Sequence, residues 1–352
     1  MKNLALHSFD ELLPVLDTFD AIIDVRSPSE FAEDHIPGAI NCPVLGDEQR
    51  VRVGTLYKQV NPFEAKKLGA ALVAQNIARH IETSFAGHAR DWKPLVYCWR
   101  GGNRSGSMAH ILAKIGWQVV QLDGGYKEYR RHVNATLPGL AAACTYRVIC
   151  GTTGSGKSRL LETLAAAGAQ VLDLEQLAAH RGSVLGNLPG APQPTQKAFE
   201  SAIWQMLRHA DRSRTVFIES ESKKVGQLRV PDELMERMRA SPCVSLQLSM
   251  QDRVQLLMED YAHFVADPTT LNAQLDCLLQ LHGGERIARW HDLALAGEME
   301  KLVGELLVDH YDPAYNRSID RNFALVGEAL VVQLPGIGKT DFDTAARQLV
   351  AS

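Results

Sequence analysis

Over its first 137 positions the chain alternates short apolar runs with stretches of helical periodicity. AIIDVR (21–26), PLVYCW (94–99) and VVQLDGG (119–125) read as strands, and 29–34, 63–85, 104–115 and 126–135 as helices. Such alternation predicts an α/β domain at 1–137. At 136–144 the sequence TLPGLAAAC, with its Pro-Gly pair and small residues, predicts a linker. Beyond it YRVIC (146–150), VLDLE (171–175), TVFIES (215–220) and CVSLQLSM (243–250) supply further strands, and SRLLETLAAAG (158–168) a helix closed by Gly168. These predict a second α/β domain at 145–251. From 252 to 352 the runs turn helical, with little strand signal before ALVVQL near 329, so a mainly helical C-terminal region is expected.

Composition narrows the class. A chain of 352 residues exceeds one ordinary core, and 45% hydrophobic with 22% charged residues is a globular balance. There is no apolar run of 18 residues, and MKNLALHSFDELLP lacks an apolar signal core, so a cytoplasmic protein with no membrane partner is expected. Six cysteines without a Cys-x-x-Cys pair read as independent thiols of a reducing compartment. The net charge of −4 does not advertise a nucleic-acid binder, although 208–214 and 223–229 are locally basic.

Chemistry concentrates at two strand-to-helix turns. The first is Cys98-Trp99-Arg100-Gly101-Gly102-Asn103-Arg104-Ser105. Backbone N–H groups at the start of a helix gather around an anion, and the same field together with nearby Arg100 and Arg104 favours a thiolate. Cys98 is therefore the candidate nucleophile, and Arg100 to Ser105 the candidate anion loop. The second turn, Gly151-Thr152-Thr153-Gly154-Ser155-Gly156-Lys157-Ser158, is a complete P-loop between a strand and a helix. Its backbone and Lys157 suit phosphates, and Ser158 can reach a metal. Glu219 and Glu221, after an apolar strand, are candidate partner acids. The motif specifies phosphate without specifying a nucleotide. The polar stretch HRGSVLGNLPGAPQPTQ (180–196) is expected to be an active-site loop, and Trp204, Trp290, Tyr311 and Tyr315 are read as core aromatics before base-stacking ones.

Asp24-Val25-Arg26-Ser27-Pro28-Ser29-Glu30-Phe31, His35-Ile36-Pro37-Gly38-Ala39-Ile40-Asn41 and Leu122-Asp123-Gly124-Gly125-Tyr126 resemble, in order, the signatures of the rhodanese domain. That resemblance implies a cysteine carrying sulfur or selenium as a persulfide or selenosulfide, with Asp24, Arg26 and His35 serving the fold. One departure stands out. Ordinary rhodanese loops hold their Arg one residue closer to the Cys; the five residues between Cys98 and Arg104 resemble the spacing of cysteine phosphatases, which implies a donor larger than sulfane sulfur.

A rhodanese-like domain followed by a P-loop domain, together with VGTLYKQVNPFEAKKLG (53–69), HRGSVLG (180–186) and IESES (218–222), resembles the tRNA 2-selenouridine synthases over most of the chain. The resemblance implies an enzyme that replaces the sulfur of 2-thiouridine at the tRNA wobble position with selenium from selenophosphate, through an S-geranyl intermediate made from geranyl diphosphate. Its implied partners are tRNA and a selenophosphate donor system; it implies no tightly bound cofactor, and magnesium is the candidate metal. Read from the residues alone, a rhodanese-type sulfurtransferase or a cysteine phosphatase with a nucleotide-regulated P-loop domain stays open.

Overall fold

The computed structural model describes residues 5–351, and the chain divides into two units, 1–137 and 138–352. In the first, strands β1 (Ala5–His7), β2 (Ala21–Asp24), β3 (Ala39–Asn41), β4 (Pro94–Tyr97) and β5 (Val120–Leu122) form a parallel sheet in the order β1-β5-β4-β2-β3. Such a sheet needs cover on both faces, and all four residues of β4 are buried. Ile23, Val96, Phe85, Trp92, Met108 and Leu112 supply core packing. The chain leaves β2 toward one edge and β4 toward the other. The carboxyl end of β4 thus opens at the reversal of strand order, where parallel sheets bind ligands.

The sequence expectation omits β1, β3 and the helix Asp47–Gln59, along with the short helices Phe9–Leu12 and Leu13–Thr18. β1 and β3 are only three residues long, and the helix Asp47–Gln59 buries none of its residues, so no apolar stripe announces it. The division between the units falls within the linker expected at 136–144, but that stretch is helical as far as Ala142 rather than a loop. The helix Gly125–Ala142 runs through Pro138, which removes one N–H without ending it, and the Tyr146 hydroxyl donates to the Ala141 carbonyl near its end (3.0 Å).

In the second unit β6 (Tyr146–Cys150), β7 (Gln170–Leu172), β8 (Val216–Glu219), a hairpin of β9 (Lys224–Val225) and β10 (Leu228–Arg229), β11 (Cys243–Gln247) and β12 (Leu330–Gln333) follow in sequence. The main sheet is parallel in the order β12-β11-β6-β8-β7, with β6 at its centre. The strand expected at 171–175 stops at Leu172, because the Asp173 side chain accepts from the Gln176 N–H (2.7 Å) and starts the helix Leu174–Leu177.

Ser249 caps the helix Met250–Asp260 and opens a helical region that builds its own core around Phe264, Leu271, Leu275, Trp290, Leu302 and Leu306. This region is an insertion rather than an appendage. β12 returns to pair with β11, and the helix Lys339–Val350 packs Phe342, Ala346 and Leu349 into the core that holds Leu160, Leu161 and Leu164 of the P-loop helix. The stretch 330–350 therefore belongs to the P-loop sheet. No helix among the described residues is long and apolar enough to cross a membrane.

Candidate active sites

Cys98 directly follows β4, 3% exposed, and the helix Asn103–Ile115 starts five residues later. Ser105 on that helix donates from Oγ to Cys98 Sγ (3.2 Å), and Gln121 Nε2 donates to Ser105 Oγ (3.0 Å) and to the Gly101 carbonyl (2.7 Å). The thiol thus meets a hydroxyl donor at the N-terminal end of a helix. Elsewhere burial, with Asp24 nearby, pushes the Cys42 thiol up to about 11, and the hydrogen bond to Cys243, followed by burial, pushes Cys150 far up.

Two glycines let the loop close. Gly101 has φ of 66°, and a Cβ there would lie 2.7 Å from the Leu122 carbonyl oxygen. Gly125 has φ of 58°, and its Cβ would fall on the Cys98 carbonyl oxygen and 2.6 Å from the Gly101 nitrogen. The Asp-Gly-Gly-Tyr turn after β5 is thus the floor of the cysteine loop; the Tyr126 N–H donates to the Cys98 carbonyl (2.8 Å). Arg104 reaches Glu30 (2.7 Å), which also meets Arg50 (3.3 Å); although burial works the other way, the Arg104 guanidinium holds the Glu30 carboxyl below its usual range. Arg100 is exposed, as are Gly102 and Asn103.

Asp24 and Arg26 form a buried pair (2.6 Å). Arg26 also donates to the Asp34 carbonyl (2.6 Å) and lies 4.0 Å over the Tyr126 ring, whose hydroxyl donates to the Asp34 carboxylate (2.8 Å). His35 stacks on Phe31. These contacts are a framework behind the loop.

At the second site the P-loop joins β6 to the helix Lys157–Ala166. Lys157 Nζ donates to the Gly151 carbonyl (2.7 Å) and lies 5.5 Å over the Tyr315 ring, while the Tyr315 hydroxyl accepts from the Gly151 N–H (2.6 Å). The buried Arg253 donates from Nε to the Thr153 carbonyl (2.9 Å) and pairs with Asp312, fixing the loop from the helical insertion. Ser158 Oγ donates to Glu175 (3.1 Å), whose backbone N–H donates to Glu219 (2.8 Å).

Asp173, Glu175, Glu219 and Glu221 share this corner, and it is short of positive charge. Burial and then the neighbouring carboxylates push Glu219 far above its ordinary value; burial followed by Glu175 pushes Glu221 up to about 8, and burial raises Asp173 to about 6. Glu219 Oε2 is buried without a hydrogen-bond partner among the described residues. The cleft in front, about 400 Å³, is lined by the P-loop, Glu175, Arg181, Glu221 and Tyr315. It shares Thr153, Ser183, Leu257, Tyr261 and Tyr311 with a smaller chamber of about 60 Å³, walled by Leu185, Phe264, Leu271, Met299, Leu302 and Leu306 among others.

Residues 8–132 match the model of the rhodanese-like domain, and residues 144–276 that of the tRNA 2-selenouridine synthase AAA domain. A tRNA 2-selenouridine synthase of Marinobacter nauticus is 32% identical over 339 residues, covering 88% of this chain and 90% of the relative. That of Cupriavidus necator is 35% identical over 328 residues, 84% and 87% of the two chains. The chain belongs to the tRNA 2-selenouridine synthase family.

In this member of the family the expected residues fall into two groups, Cys98 to Ser105 in the first unit and Gly151 to Ser158 with Glu221 in the second. Glu219 stands behind Glu175, which is the acid that meets Ser158 and was hidden in a segment read as strand. Of the polar loop, Arg181, Gly182 and Ser183 line the cleft, whereas Gln193 and Gln196 tie down Val225 and Arg229 of the β9–β10 hairpin. Trp204 and Trp290 are core residues; Tyr311 and Tyr315 face the cleft. In the basic stretch 208–214, Arg212 and Arg214 bond the carbonyls of Leu207 and Gly168. Arg253 and Asp312 had no local signal beyond the Asp-Pro pair at 312–313, which starts the helix Asp312–Asn322, and Tyr315 was expected as a core aromatic and not as a partner of the P-loop.

Proposed function

We propose that this protein converts 2-thiouridine at the wobble position of tRNA into 2-selenouridine, using geranyl diphosphate to activate the sulfur and selenophosphate to supply selenium. The observation that carries the reading is the P-loop cleft with an apolar chamber at its wall, in a chain of this family. A phosphate cradle adjoining a small hydrocarbon pocket suits a diphosphate ester with a short apolar chain better than it suits a nucleotide, whose base and ribose need polar partners.

In the first step the thiocarbonyl sulfur attacks C1 of the prenyl donor, the C–O bond breaks, diphosphate leaves and N3 releases its proton. Lys157 and the P-loop N–H groups stabilise the charge on the departing diphosphate. In the second, selenium adds at C2 and the prenyl thiolate leaves, with Cys98 serving the donor. Ser158 and Glu175 offer hard oxygen donors 3.1 Å apart, and the unpartnered Glu219 marks an acidic corner that a cation relieves, so magnesium fits this cleft. Bound there, it would add charge neutralisation at the diphosphate. No ready-made cluster of three metal ligands exists among the described residues, as suits an ion held largely by phosphate and water.

The test is nucleoside mass spectrometry of thiouridine-containing tRNA incubated with the protein and both donors. Prenylated and then selenated uridine is the expected outcome; neither product forming would refute the reading.

A further inference from the structure

We propose that the rhodanese-like unit holds a second hydrocarbon site, a pocket beside the cysteine loop that seats the alkyl chain of the S-alkylated uridine while selenium replaces sulfur. The proposal rests on the S-prenyl intermediate of the proposed function and adds where its chain is held in the second step. Once diphosphate has left, the chain is the feature that sets the activated base apart both from 2-thiouridine and from the selenated product. A site that selects the activated base must therefore bind hydrocarbon.

Such a space lies between the helices Asp47–Gln59, Pro62–His80 and Asn103–Ile115. Its walls are mainly apolar: Val53 and Tyr57, one turn apart, come from the first helix, Val73, Ala74 and Ile77 from the second, and Ile111 from the third. At about 520 Å³ it falls in the range of roughly 300–1,000 Å³ that ligand pockets occupy. Packed helices interdigitate their side chains, so the packing of the unit itself does not account for an apolar gap of this size. Small side chains at Ala70 and Ala74 keep it open, and Val53, Val73 and Ile111 are left half-buried around it. The pocket also gives a purpose to the helix Asp47–Gln59, which buries no residue of its own yet supplies one wall.

Its polar rim fits a nucleotide. Asn103 and Arg104 of the cysteine loop stand in the wall, and Arg104 is shared with the neighbouring space that Trp99 lines, so the pocket adjoins that loop. Lys66 lies exposed at the rim with no ion pair among the described residues. No carboxylate lines the pocket; Glu30, which holds Arg104 (2.7 Å), stands outside it. A cationic rim complements the phosphates on either side of the base, and the apolar walls complement its chain. Ser107 in the wall donates its hydroxyl to the Asn103 carbonyl (2.8 Å), which leaves that group committed and the space suited to hydrocarbon.

The experiment gives the full chain selenophosphate and anticodon stem-loops alkylated beforehand, bearing either S-geranyl- or S-methyl-2-thiouridine, and compares kcat/KM for selenouridine formation. Each seated methylene is worth roughly four-fold, so seating about five carbons makes the natural protein prefer the geranyl stem-loop by about 10²-fold to 10³-fold. Ala74→Phe places a ring in the pocket from an exposed helix position and should cut that preference about ten-fold or more, while alkylation of a thiouridine stem-loop by geranyl diphosphate and Tm are kept. Tyr57→Ala removes a half-exposed wall residue and should lower the preference in the same direction; it decides the matter if Ala74→Phe fails to fold. A preference unchanged in the folded variants overturns the proposal, as does equal use of both stem-loops by the natural protein. In either case selenouridine still forms and the alkylated intermediate stands. Selenouridine from neither stem-loop refutes the intermediate itself, and the pocket's role with it.

Discussion

The chamber beside the P-loop should make the enzyme select its alkyl donor by chain length. At about 60 Å³ it has room for roughly four to six water-sized or methyl-sized groups, close to one isoprene unit. Each buried methylene contributes about 0.8 kcal/mol, so seating the second isoprene of geranyl diphosphate contributes about 4 kcal/mol relative to dimethylallyl diphosphate, which is too short to reach it. At 1.4 kcal/mol per decade this is roughly 10²-fold to 10³-fold in kcat/KM, toward the lower figure if the walls pack loosely. Leu302, fully buried in the chamber wall, is the position to perturb. Leu302→Phe narrows the space: kcat/KM for geranyl diphosphate should fall about ten-fold while dimethylallyl diphosphate is handled as before, and overpacking should cost about 1–3 kcal/mol of stability. The assay is alkylation of a thiouridine-containing anticodon stem-loop followed by chromatography, with Tm measured alongside. Equal use of both donors by the natural protein, or an equal loss for both in a folded Leu302→Phe protein, would refute the reasoning.

Lys157→Ala should lower alkylation at least about 10²-fold while leaving selenation of pre-alkylated tRNA near normal, since only the first reaction expels diphosphate. Cys98→Ser should show the opposite division, with selenation lost and alkylation kept; both are read by nucleoside mass spectrometry. Gly125→Ala forces a side chain onto the Cys98 carbonyl at a positive φ, so denaturant titration should show a loss of about 2 kcal/mol or more and selenation should fail with it. Glu221 and Asp173 have folded-state values raised to about 8 and about 6, so the native protein keeps protons that the unfolded chain releases above the ordinary carboxylate range. Their contribution is complete below that range and is lost as pH rises toward about 8; Tm should fall across that window, and less in Glu221→Gln, whereas an equal slope in both proteins would contradict the assignment.

Both nucleating turns were legible because their information is local. In YCWRGGNRS and GTTGSGKS a strand, glycines, a charged residue and a helix start lie within about ten positions, so spacing alone conveys the geometry. The residues that complete the second site come from far along the chain. Glu175 is 17 residues beyond Ser158, and Arg253 and Tyr315 approach the loop from 100 and 164 residues away. The chamber needs Leu185 and Leu302 together, and in sequence each is merely an apolar residue. The helix Asp47–Gln59 escaped for a different reason: with no buried residue it has no periodic stripe. Pro138 misled in the other direction, as a usual helix breaker that a long helix tolerates.

The two sites apply one physical device to two purposes. Each sits at the carboxyl end of an inner strand of a parallel sheet, uses glycine at positive φ to fold a loop, and leads into a helix start, which favours an anion. What differs is the group that each loop presents. At Gly151 to Ser158 the charged group is an ammonium; on the proposed reading this loop holds and releases a diphosphate, and bond breaking occurs at the carbon that the diphosphate carries. At the first loop the strand ends instead in the Cys98 thiol, with a hydroxyl donor 3.2 Å away. On the proposed reading the two loops divide the reaction by whether a thiol is present: the P-loop serves activation of the sulfur, and the cysteine loop serves the selenium donor.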